Sequence, residues 1–116
     1  MKVSLVFVPP GGGEADYQLE FELPSVPQAG DYISVIRDGA TSPGYETFLV
    51  RRTIWELKYP KSSSGLATNG EHGTVSTIWV ECEFARGMMM TPEHEKACAT
   101  YAARGYAVPK LDETAY

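Results

Sequence analysis

The sequence has no long hydrophobic run, few histidines or cysteines, and fewer cations than anions. No stretch approaches the roughly 20 apolar residues needed to cross a bilayer as a helix, so no membrane span is expected. Ten Lys and Arg stand against fifteen Asp and Glu, a formal net charge of −5, which gives no bulk attraction to nucleic acid or an anionic membrane. The acidity is too moderate and too dispersed to imitate a phosphate backbone. The two cysteines, Cys82 and Cys98, and the two histidines, His72 and His94, form no Cys-x-x-Cys or His-x-x-x-His pair, so the usual grammar of a metal site is missing. Gly11 to Gly13 join two strand-like segments, not a strand to a helix, so they do not read as a phosphate loop. No cofactor is expected. The opening MKVSLVFVPPGGG carries one lysine and a short apolar run ended by prolines, with no cleavage site of small residues. It reads as a strand, and cytoplasmic residence with two reduced, buried thiols is the expectation.

What is present is strand. At 116 residues the chain fits one domain, expected over 1–105 with an extended tail over 106–116. Its organising stretch runs from Thr47 to Ala85, where TFLVRRTIWELKY and TVSTIWVECEFA are dense in β-branched and aromatic residues. Paired as an antiparallel hairpin, they set Trp55 opposite Ile78, Thr53 opposite Val80 and Leu49 opposite Phe84 on an apolar face. The other face sets Arg52 opposite Glu81 and Ile54 beside Trp79. The apolar phase shifts near Arg51 and Arg52, which predicts a β-bulge there. Val3, Leu5 and Phe7 mark a first strand. Tyr17, Leu19, Phe21 and Leu23 alternate with Gln18, Glu20 and Glu22 in a second, which pairs with the first as a hairpin. YISVI over 32–36 is a third strand.

LPSVPQAGDYISV followed by FLVRRTIWEL resembles small SH3-like β-barrel domains over roughly Leu23 to Phe84. There a Pro-rich turn and a Gly-Asp pair precede a strand that leads into a longer β-ribbon. The resemblance implies a fold shared by peptide-binding, nucleic-acid-binding and structural modules, so it does not choose a function. It carries over no binding residue.

One helix is predicted over 91–104. Thr91 is the N-cap, Pro92 stands at the first helical position, Glu93 and Glu95 suit the positive end, and Arg104 with Gly105 closes it. His94, Ala97, Cys98, Tyr101 and Ala102 share the face that packs on the sheet. The predicted fold is mainly β (α+β), a small five-stranded antiparallel β-barrel or roll with one C-terminal helix.

Three chemistries compete with a purely structural reading. A metal or nucleophile site would draw on His94, Cys98, Cys82 and His72, but four scattered residues are what chance supplies. Nucleic-acid binding would use Arg51, Arg52, Lys58 and Lys61 interleaved with Trp55 and Tyr59, yet alternation assigns both aromatics to the core face and the net charge opposes it. The favoured reading is a non-enzymatic protein-binding module, of the kind found among phage or mobile-element accessory proteins and inhibitors, that blocks a partner sterically. Its expected contact residues are Glu20, Glu22, Arg51, Arg52, Trp79, Met88, Met89 and Met90, helped by the Ser/Gly-rich loop over 60–73. Exposed strand edges also predict a homodimer.

Overall fold

The computed structural model describes residues 1–39, 43–60 and 72–111. Most of the predicted 60–73 loop, including Lys61, therefore lies outside the described residues. Five strands and one helix follow in order: β1 (Lys2–Val8), β2 (Tyr17–Glu22), β3 (Tyr32–Val35), β4 (Glu46–Lys58), β5 (Thr74–Phe84) and α1 (Pro92–Ala103). The strands form one curled sheet, a half-barrel, in the order β2-β1-β5-β4-β3. Three pairings are antiparallel, but β1 and β5 run parallel at the centre. The sheet is therefore mixed where sequence patterning suggested hairpins alone.

Alternation explains the core. Val3, Leu5 and Phe7 of β1, Phe48 and Val50 of β4, and Ile78, Val80, Cys82 and Phe84 of β5 are all buried on the concave side. Tyr17, Leu19 and Phe21 of β2 pack against them. One end of the half-barrel is crossed by the segment from Leu23 to Asp31, whose Val26 packs on the core. That segment is tied down where Leu23 N–H donates to Met1 O at 2.8 Å and Gly30 N–H donates to Val50 O at 2.9 Å.

Helix α1 covers the other end. Thr91 caps it, its side chain accepting from His94 N–H at 3.2 Å, and Arg104 with Gly105 (φ +92°) ends it. These are the start and stop that the sequence signals. His94 and Cys98 are buried and Ala97 and Tyr101 half-buried, but Ala102 is exposed, so the packed face is narrower than predicted. Beyond the helix, the chain folds back along Arg86. Arg86 N–H donates to Pro109 O and Leu111 N–H to Arg86 O, while Val108 joins the core margin.

The β4–β5 register matches the predicted Trp55–Ile78, Thr53–Val80, Ile54–Trp79 and Arg52–Glu81 pairs. At the inner end it differs: Phe48 faces Phe84 and Leu49 faces Glu83. The physical reason is the bulge itself, an extra residue at Arg51 between Val50 and Arg52, which moves every pair below it by one.

Candidate functional site

Beyond the bulge, β4 and β5 leave the rest of the sheet behind. β3 pairs with β4 only as far as Leu49, and β1 pairs with β5 only from Trp79 onward. The outer residues of both strands therefore form a two-stranded arm, and the molecule extends 56 × 32 × 28 Å with a Cα radius of gyration of 17.9 Å. A compact domain of this length would have a radius of gyration of about 13 Å.

Along the arm, alternation continues the faces of the sheet. Thr53 and Trp55 lie opposite Val80 and Ile78, on the side of the core; after a second register shift between Glu56 and Leu57, Leu57 lies opposite Val75, and Tyr59 follows just beyond β4. The core, however, ends before them. Trp55 is 50% exposed, Leu57 67%, Tyr59 55% and Val75 49%, so the prediction that Trp55 and Tyr59 are core residues is overturned. Trp55 has the predicted phase, but β1 and β3 end before they reach its level. On the opposite face Ile54 is also half exposed, Glu56 and Lys58 face water, and the Trp79 indole N–H donates to Glu56 Oε2 at 3.4 Å.

The base of the arm is a closed polar cluster. A bulge can set two successive side chains on one face, and Arg51 and Arg52 both grip Glu81, with Arg51 Nε 3.1 Å from Oε1 and Arg52 Nε 2.7 Å from Oε2. Arg51 Nε makes no properly directed hydrogen bond, so its contact is Coulombic. Its guanidinium also lies 3.8 Å from Glu83, whose other oxygen accepts from Gly11 N–H at 3.3 Å. The loop can sit this close because Gly12 has φ +101° and no Cβ, which would otherwise stand 2.9 Å from the Arg51 guanidinium carbon. Both arginines are thus engaged inside the molecule.

The other predicted contact residues are dispersed. Glu20 and Glu22 are exposed on edge strand β2. The Met1 ammonium, 2.8 Å from Glu22, holds that carboxyl below its ordinary value. Met88 and Met89 are 52% and 73% exposed at the helix end, while Met90 is half-buried and bridges to Tyr45. Met89 has φ +49°, a left-handed conformation that costs a side-chain-bearing residue about 1–2 kcal/mol. Met89→Gly is expected to raise stability by about 0.5–1 kcal/mol after glycine's entropy is counted, seen as a higher denaturant midpoint.

The histidines and cysteines do not converge. His72 is exposed beyond the start of β5, whereas His94 and Cys98 are buried under the helix. His94 Nε2 is 2.8 Å from Ala85 O, a separation that assigns the ring proton to Nε2. The 3.3 Å approach of Thr47 N–H to the same nitrogen is then only a contact. The Cys98 thiol points to the same Ala85 carbonyl at 3.6 Å. Among the described residues no group of three or more His, Cys, Asp or Glu side chains could hold a metal.

Burial, helped by the Glu81 charge, pushes the Cys82 thiol from 9.0 up to about 12, which disfavours the thiolate a nucleophile needs. Across the mouth of the half-barrel, Tyr17 OH lies 3.3 Å from Glu46 Oε1, and Arg37 Nε pairs with Glu46 Oε2 at 2.6 Å. Burial first, then the Glu46 charge, raises the Tyr17 phenol from 10.0 to about 12. Both groups are held protonated by the fold and released in the unfolded chain. Their stabilisation is therefore complete below about pH 9 and is lost as pH rises toward 12. Urea midpoints should fall steadily above pH 9, and Cys82→Ala should flatten the first part of that fall.

No family model, no curated protein and no solved structure matches this chain. The described helix is not long and apolar enough to cross a membrane.

Proposed function

We propose that this chain is a non-enzymatic protein-binding module whose contact element is the β4–β5 arm. It acts by occupying a partner's surface, as a small accessory or inhibitory protein of phage or mobile-element type would, on a half-barrel of the SH3-like class. The observation that carries this reading is the run of Trp55, Leu57, Tyr59 and Val75, exposed beyond the end of the core. Exposed apolar patches of this kind mark interaction surfaces, and Trp and Tyr are the residues that anchor them.

The exposure of Trp55 and Tyr59 also favours a second reading, base stacking on single-stranded nucleic acid. The pairing of Arg51 and Arg52 with Glu81 weighs against it, since those cations would have to be released from their own carboxylate.

The test is capture from native lysate with and without nuclease, using the parent chain and Trp55→Ala/Leu57→Ala. A partner that survives nuclease and is lost with the arm residues supports the reading. Recovery of nucleic acid alone, or a partner indifferent to the arm, overturns it.

A further inference from the structure

We propose that the core-side face of the arm is a contact between two copies of this chain, packed face to face about a two-fold axis with the arms antiparallel. This rests on the reading of the arm as a contact element and names its occupant. The first argument is charge. The face presents Thr53, Trp55 and Leu57 from β4 with Ile78 and Val75 from β5, and Tyr59 just beyond β4, all uncharged, while Arg52, Glu56, Lys58 and Glu81 lie on the other side. Among the described residues, a phosphate backbone or a charged peptide finds no counter-ion there. A second copy brings a face of the same neutral, aromatic character, and interface cores are depleted of charge in this way.

The second argument is area. Half to two-thirds exposure at Trp55, Leu57, Tyr59 and Val75 leaves roughly 400–500 Å² of apolar side chain per copy. Two such faces bury about 800–1,000 Å² in all, at the small end of specific interfaces. An interface of this size belongs with weak, reversible contacts.

The third argument is length. A two-fold axis midway between the two faces, level with Glu56, sets Trp55 across from Leu57 of the other copy and Tyr59 across from its Thr53. Thr53 Oγ1 donates to Pro27 O at 3.1 Å, and Pro27 lines an open groove of about 330 Å³ with Leu23, Val26 and Asp31. Tyr59, at the outer end of one arm, thus lies over the groove beside the base of the other. Stacked at the usual sheet-to-sheet distance of about 10 Å, each arm supplies the layer that the other lacks.

Sedimentation velocity of the full chain, from about 1 to about 300 μM, tests this. The parent should move from monomer to dimer across the range. Leu57→Glu should stay monomeric, weakening association at least about 100-fold, with an unchanged circular dichroism spectrum. Ile36→Glu, a control at an exposed position just after β3, should dimerise like the parent. A benzophenone side chain at position 59 should crosslink to the 23–33 segment of the second copy. A parent monomeric at the highest concentration, a Leu57→Glu chain that dimerises normally, or crosslinks confined to other segments would overturn the proposal. If the parent stays monomeric while arm-dependent capture of a different protein persists, self-association fails and the contact-element reading stands. If capture is indifferent to the arm, that reading fails too.

Discussion

Phe48→Ala is expected to lower the unfolding free energy by about 3–5 kcal/mol, the cost of emptying a fully packed aromatic site. Phe48 is fully buried and lies 4.3 Å from the Phe7 ring, 5.1 Å from Phe84 and 5.2 Å from His94, centroid to centroid. It joins three elements, β1, β5 and α1, so neighbouring groups cannot collapse into the space from one side. Trp55→Ala is the informative contrast. It removes a larger ring from the same strand, yet at monomeric concentrations it should cost less than about 0.5 kcal/mol, as exposed sites do. Urea denaturation of both variants at low protein concentration measures the difference. Equal losses would mean that the core extends into the arm.

Gly44→Ala is expected to cost about 3 kcal/mol or more. Gly44 has φ +136°, and a Cβ there would stand 2.6 Å from Met89 O and 2.8 Å from Thr91 N, both backbone atoms. Strain from the positive φ and overpacking against main chain act together. The damage is local in a telling way. Next to Gly44, Tyr45 N–H donates to Met89 O at 2.8 Å and Thr91 N–H to Tyr45 O at 3.2 Å. Pushing this joint apart loosens the entry to α1, so amide exchange in the first helical turn should speed up before exchange in β1 does. A variant as stable as the parent would show that the joint yields without strain.

Much of this fold was legible because its cues are local. Period-2 alternation marked β2, the Thr91-Pro92 pair and Gly105 bounded the helix, and the change of apolar phase at Arg51 exposed the bulge. What alternation cannot show is where a core stops. Trp55 continues the face of Val50 across the bulge, and only the limited lengths of β1 and β3 reveal that the sheet's other strands stop short of it. Composition likewise cannot show that Arg51 and Arg52 share Glu81, because the bulge that aims both side chains the same way is a three-dimensional fact. The parallel β1–β5 pair was missed for a related reason: short connections announce hairpins, whereas a long-range pairing leaves no adjacent signal.

That central pair has a consequence for how the chain is made. Synthesis delivers β1 and β2 first and β5 last among the strands, yet β5 must slot between β1 and β4. The emerging β1–β2 hairpin therefore waits with one side of β1 open until β5, more than 50 residues after β2, has left the ribosome. Closing so large a loop is entropically slow, and during that wait β1 offers its unpaired side to any strand nearby. Crowded expression should thus favour misassembly through β1, and slower translation after β4 should increase it.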